Sequence, residues 1–252
     1  MKRFFVTLEQ SPEYFPFRLP VTDDFVVRHL SAVLRLKPSD QVIIVDDQRE
    51  IAYLAQIEAL GKKEAILSVL APLAASPDPL PHTTLAASLI KEQRWDLLLQ
   101  KVTELGVRTI QPLVSERCII RLSSGDIAKK MERWGNVVRS AAEQSEGLFI
   151  PTILPPVTLP DFLSGLGDSS PAPLRLVLME RGPDRFSLKN AFNQAKAGQP
   201  LLMALGPEGG WTDGEQHLFL NANFLPVKLG QRILRTETAA MMAMAALVAN
   251  QE

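Results

Sequence analysis

The apolar positions of the first seventy residues fall into short runs with turn-formers between them. Arg3-Phe4-Phe5-Val6 reads as a strand. Gln41-Val42-Ile43-Ile44-Val45 is a second, rich in β-branched residues, residues 51–57 a third and residues 64–70 a fourth. One helix interrupts them, with Asp23 or Asp24 as its cap and Phe25, His29 and Val33 at helical spacing. Short strands separated by turns predict a small β-barrel over residues 1–72. Four prolines then fall within the eleven residues 71–81. Proline fixes φ and lacks a backbone donor, so neither a helix nor a central strand can continue through them. Residues 73–81 are therefore the expected linker.

Beyond the linker the period changes, and strands alternate with helices through residues 82–252. Residues 83–90 read as a buried strand. In residues 91–105, Trp95, Leu98, Leu99, Val102 and Leu105 share one helical face, and Gly106 suits the C-terminal cap. Residues 108–114 form a strand. Ile127, Met131, Trp134 and Val138 mark a helix running to about Gln144. Strands follow at 174–179, 201–205 and 224–229, and a long apolar helix at 236–250, whose place is the core or a dimer interface. This alternation predicts an α/β domain, a mostly parallel sheet with helices on both faces.

The composition is ordinary for a soluble globular chain of 252 residues, with 46% hydrophobic and 22% charged residues. The N-terminus runs from Phe4-Phe5-Val6 straight into polar residues, without a signal-peptide core, so a cytoplasmic protein is expected. A single cysteine, Cys118, excludes an internal disulfide and reads as a buried structural thiol. The three histidines and this cysteine show no metal-ligand spacing. The net charge of −1 argues against nucleic acid until its distribution is considered. Residues 91–139 hold ten Lys or Arg against six Asp or Glu, the footprint of a local phosphate-binding surface.

Two segments stand out as candidate chemistry. In Leu205-Gly206-Pro207-Glu208-Gly209-Gly210-Trp211-Thr212, a buried strand ends in a turn with three glycines around a carboxylate. Glycines let the backbone approach a ligand closely, and ligands sit at the carboxyl ends of parallel strands. An ordinary strand-to-helix turn capped by Thr212 or Asp213 accounts for the same spacing. The pattern is neither a Walker A loop nor the dinucleotide fingerprint. In Leu229-Gly230-Gln231-Arg232-Ile233-Leu234-Arg235-Thr236-Glu237, a second strand passes through a glycine loop into a helix. Thr236 is the expected N-cap there, and Glu237 complements the helix dipole. Arg235 faces the positive end of that dipole, so something anionic or functional should compensate it.

These two loops resemble the signature loops of the SPOUT methyltransferases, and more narrowly those of the RsmE group of 16S ribosomal RNA uridine-N3 methyltransferases. The helix carrying Lys91, Arg94, Gln100, Lys101, Thr103, Glu104, Leu105 and Gly106 is similar to that group too. So are Ser115-Glu116-Arg117 and the stretch from Arg133-Trp134 through Ala142-Glu143-Gln144-Ser145 to Ile150-Pro151. The chain departs from the group at Glu146-Gly147-Leu148-Phe149, where an arginine is usual, in the charged turn Asp46-Asp47-Gln48-Arg49-Glu50, and at the bulky Trp211.

The resemblance implies a PUA-like RNA-binding barrel followed by a trefoil-knotted SPOUT domain. It also implies a homodimer acting on 16S ribosomal RNA, free or in the small subunit, with S-adenosyl-L-methionine as cofactor. The cofactor would lie against Leu205, Gly206, Pro207, Glu208, Gly209, Gly210, Leu229, Gly230, Ile233, Leu234 and Arg235. Arg235 would stabilise the charge that develops on a uridine carbonyl as N3 loses its proton. Glu143, Glu208 and Glu237 compete to accept that proton. Arg3, Arg28, Arg35, Arg94, Lys101 and Arg121 are the candidate phosphate contacts. Methylation of a ribose hydroxyl by the same fold, or a non-catalytic ribosome-binding role, are the competing readings.

Overall fold

A computed structural model describes every residue except 10, 11, 13, 75–78, 121, 122, 168, 169, 182–184 and 252, and the side chain of 124. The chain divides into two compact units, Met1–Pro77 with Ala142–Ile150, and Asp78–Ala141 with Pro151–Glu252.

The first unit contains β1 (Arg3–Val6), β2 (Phe17–Val21), α1 (Asp24–Arg28), a π-helical segment (His29–Val33), β3 (Gln41–Asp46), β4 (Ile51–Leu60) and β5 (Ala65–Pro72). Its strands, expected as a small barrel, hydrogen-bond in the order β1-β3-β4-β5-β2. The β1–β3 pair is parallel and the others antiparallel. Alternate residues of β5, Ala65, Leu67 and Val69, turn inward against Val26, Val27 and Leu30. The strand over 17–21 was not expected, because Pro16 and Pro20 disguise it. It lies at the sheet edge, where a residue without a ladder donor is tolerated.

Asp23 is the helix cap, its Oδ1 accepting from the amides of Phe25 and Val26 at 2.8 and 3.2 Å. The helix then widens, with the Leu34 amide donating five residues back to the His29 carbonyl. The buried face runs through Val26, Val27 and Leu30, while Val33 is exposed, contrary to the expected stripe.

The departing segment after Gln144 has a defined structure. Glu146 takes a left-handed φ of +62°, and the Gly147 amide donates to the Ala142 carbonyl at 2.9 Å. This is the Schellman ending of a helix, with a glutamate at the position glycine usually holds. Arg3 fixes it by donating to the Glu146 carbonyl at 2.8 Å and to its carboxylate at 3.0 Å.

The second unit contains β6 (Thr83–Ser88), α2 (Glu92–Glu104), β7 (Thr109–Val114), α3 (Ser124–Gln144), β8 (Thr152–Ile153), β9 (Val157–Thr158), α4 (Leu159–Ser164), β10 (Leu174–Leu178), β11 (Phe186–Ser187), α5 (Leu188–Phe192), β12 (Leu201–Leu205), α6 (Asp213–Asn221), β13 (Leu225–Lys228) and α7 (Thr236–Gln251); the last turn of α3 falls in the first unit. The sheet order is β11-β13-β10-β12-β6-β7-β8, with β9 also paired to β7, and every pairing is parallel.

All five residues of β12 are buried, as a central strand covered on both faces requires. On one face Ala86, Leu113, Val177, Leu202 and Ala204 pack with Leu159 and Phe162 of α4 and Phe219 of α6. Helix α7 packs on β12 together with α2 and α5. The short elements β8, β9, β11, α4 and α5 were not expected, since two to six residues are too few to show a period. Among the described residues, no helix is long and apolar enough to cross a membrane.

Candidate cofactor site

Three adjacent strands of the second unit, β13, β10 and β12, end at one cleft of about 400 Å³. Carboxyl ends of parallel strands are where such sheets place ligands, and the volume lies in the range of small-molecule sites, about 300–1,000 Å³. Of the residues that the resemblance assigns to the cofactor, all except Arg235 line the cleft.

The loop after β12 is held from several sides. Trp211 is buried, and its indole donates to the Leu178 carbonyl at 3.1 Å. Its ring lies against Gly206 so closely that a Cβ there would meet it at 3.2 Å. The bulky residue is thus the packing partner of the loop's first glycine. Arg117 donates to the Gly209 carbonyl at 2.7 Å, and its aliphatic stem fills the space beside that glycine. Thr212 and Glu215 form a reciprocal capping box at the start of α6, and Glu215 also accepts from the Glu116 amide at 2.9 Å. The expected helix cap and the glycine cradle therefore coexist in one loop.

Gly210 differs from its neighbours. Its φ is +67°, and a Cβ built on it would meet nothing within 4 Å. Gly230, in the loop after β13, has φ +130° and the same open space. Both line the cleft, so two glycines leave room there that any side chain would begin to fill. The second loop is open to solvent, with Ile233 64% exposed.

Thr236 was expected to cap α7, but it is the first helical residue. Arg235 occupies the cap position, its carbonyl accepting from the Ala239 amide at 2.8 Å. The Thr236 hydroxyl donates instead to the Gly206 carbonyl at 2.9 Å, joining the second loop to the first. Arg235 itself is exposed beside the cleft.

The candidate acids separate. Glu208 lines the cleft, and Glu237 lies in the first turn of α7, only 5% exposed. Glu143 belongs to the segment 142–150 of the first unit. Arg94 donates from Nη1 to Glu208 at 3.2 Å, and its Nε lies 3.9 Å from the Glu237 carboxylate.

The other basic candidates are dispersed. Arg3 is paired with Glu146, and Lys101 with Glu104 at 2.9 Å. Arg28 and Arg35 are exposed on the first unit, Arg35 with φ +52°. Arg121 lies outside the described residues. The cleft also takes in Arg117, from the Ser115-Glu116-Arg117 stretch after β7, and Leu178 and Met179, which the loop motifs did not reveal and whose signal was a buried strand ending level with the glycine loops. Cys118 is partly exposed and not fully buried as expected, its thiol donating to the Leu89 carbonyl at 3.1 Å, and desolvation pushes its pKa up.

Residues 76–248 match the RNA methyltransferase domain family, and residues 23–70 match the RNA methyltransferase PUA domain. The chain belongs to the RNA methyltransferase family. Within it, the ribosomal RNA small subunit methyltransferase E of Synechocystis is 33% identical over 87% of this chain and 69% of its own length. The small subunit methyltransferase E of Neisseria gonorrhoeae, solved with S-adenosyl methionine, is 32% identical with a TM-score of 0.85, covering 99% of this chain and 98% of that one. A methyltransferase structure from Legionella pneumophila, also solved with that cofactor, is 30% identical with a TM-score of 0.86, covering 98% and 97%. The two solved relatives match this RNA methyltransferase along essentially its whole chain.

Proposed function

We propose that this enzyme transfers a methyl group from S-adenosyl-L-methionine to N3 of a uridine in 16S ribosomal RNA, free or in the small subunit, as a cytoplasmic homodimer. The observation that carries the reading is the cleft enclosed by two glycine loops tied through Thr236 and Gly206. The residues present fit the cofactor. Buried Leu205, Trp211 and Val227 give an apolar wall, while the open faces of Gly210 and Gly230 leave space and bare backbone.

The bound cofactor supplies an electrophilic methyl group on a sulfonium. The chain has to hold the target base in line with it and manage one proton. Positioning two bound reactants supplies much of such a rate. Uridine N3 is acidic because two carbonyls flank it. Arg235, exposed at the head of α7, is the cation that would stabilise the charge developing on one of those oxygens. Glu208 is the acceptor we assign to the N3 proton, because it lines the cleft and Glu237 does not. Arg28 and Arg35 are exposed on the first unit, and among the described residues neither makes an ion pair such as those that occupy Arg3 and Lys101, which supports them as phosphate contacts.

The test is methylation of undermethylated small subunits by the purified enzyme, with the product nucleoside identified. Appearance of 3-methyluridine is the expected result. A ribose-methylated nucleoside would overturn the assignment of the atom. Absence of S-adenosylmethionine binding in calorimetry would overturn the enzyme reading.

A further inference from the structure

Arg94 stands in the first turn of α2, where the helix dipole opposes a cation. Two carboxylates compensate it. Glu208 comes from the loop after β12 and Glu237 from the first turn of α7, and both lie within 4 Å of the guanidinium. Glu237 is nearly inaccessible, and its Oε2 is buried without a hydrogen-bond partner among the described residues. A buried carboxylate is tolerated only beside a compensating charge. Among the described residues, Arg94 is the cation paired to it.

One positive charge set against two negative ones does not attract a phosphate. A phosphate contact would also require Arg94 to abandon a hydrogen bond and leave Glu237 uncompensated. The remaining contacts of the same loop point the same way. Arg117 holds the Gly209 carbonyl and Thr236 holds the Gly206 carbonyl, and Arg94 supplies the side-chain anchor for Glu208, which lies between those two. A guanidinium, with five donors in a planar fork, can serve two acceptors from different elements, where an ammonium is a single point charge.

We infer that Arg94 is a positioning residue that couples α2 to Glu208 and to the head of α7, and is not a contact to RNA phosphate. The inference rests on the cofactor-site reading above.

The experiment compares wild type, Arg94→Gln, Arg94→Lys, Glu208→Gln and the double variant Arg94→Gln/Glu208→Gln. S-adenosylmethionine affinity is measured by calorimetry, and kcat and KM for undermethylated small subunits are measured at several salt concentrations. Arg94→Gln should lower kcat tenfold or more and weaken cofactor binding. KM for the subunits, and its slope against salt, should stay at wild-type values. Arg94→Lys should rescue only in part. The losses from Arg94→Gln and Glu208→Gln should be smaller together than their product, because the two residues act as one unit.

Unchanged kcat and cofactor affinity, with a salt slope shallower by about one charge, would make Arg94 a phosphate contact and overturn the inference. Independent, multiplicative losses would also overturn it. Should Arg94→Gln fail to fold, Arg94→Lys and the double variant Arg94→Lys/Glu208→Gln, measured in the same way against wild type, carry the same decision. A wild-type enzyme that binds the cofactor but methylates another atom would refute the uridine-N3 reading and leave the Arg94 comparison intact.

Discussion

The hydroxyl of Thr236 donates to the backbone carbonyl of Gly206 across 2.9 Å, so the first residue of α7 closes on the turn that follows β12. The two loops that line the cleft are therefore linked by a side-chain hydrogen bond. Thr236→Val keeps the shape and removes the donor. Leaving a part-buried carbonyl without its partner costs about 1–3 kcal/mol. The variant should lose stability of that order in urea unfolding. It should also bind S-adenosylmethionine more weakly, because both loops gain freedom. Unchanged affinity in calorimetry would show that the loops hold their places without the bond.

The glycines of the first loop make separable predictions. Gly210→Val places a branched side chain at φ +67° in space that the cleft leaves open. Cofactor binding should be abolished, and left-handed strain should lower stability by about 1–2 kcal/mol. Gly206→Ala pushes against the Trp211 ring at 3.2 Å, so its effect should appear first in stability, through packing. Thermal unfolding with and without S-adenosylmethionine distinguishes them. Ligand should raise the Tm of Gly206→Ala and leave that of Gly210→Val unmoved.

Much of this architecture was readable in the chain because period and burial agree. The helix over 92–104 carries a continuous apolar stripe and the strand at 201–205 a continuous apolar run, and these two and the strand at 109–114 each lie within a residue or two of their expected ends. The misses have physical causes. Pro16 and Pro20 hide an edge strand, and the first helix buries Val26, Val27 and Leu30, a stripe one residue along from the one expected through Phe25, His29 and Val33. The site was legible as two glycine loops at strand ends, but its wiring was not. That Thr236 bonds the other loop, that Trp211 packs on Gly206, and that Arg94 meets Glu208 and Glu237 are contacts between residues 5 to 143 positions apart, which no local pattern encodes.

Arg235→Ala should separate catalysis from binding. The side chain is exposed and does not line the cleft, so the cofactor loses no wall when it is removed. Its proposed role belongs to the transition state, where charge develops on a uridine carbonyl. Removing one such stabilising donor lowers turnover by about 100- to 1,000-fold in other enzymes. Turnover should fall on that scale while the calorimetric affinity for S-adenosylmethionine changes little. A large loss of affinity would assign Arg235 to the cofactor.

The proposed dimer can be tested on the outer face of α7. Thr238, Met242, Ala245 and Ala249 are exposed and spaced four, three and four residues apart, so they form one stripe along the helix. Met242 is 44% exposed, unusual for a large apolar side chain at the centre of a helix otherwise packed against α2 and α5. A second copy of the chain laid along this stripe would cover it. Met242→Lys puts a charge at its middle, where an interface core is depleted of charge. The stripe is apart from the cleft, so the monomer should keep its fold. Light scattering should report a dimer for the wild type and a monomer for the variant, with matching circular dichroism spectra. If the active site is completed across the interface, methylation should fall together with the dimer fraction. A variant that stays dimeric at micromolar concentration would place the interface on another face.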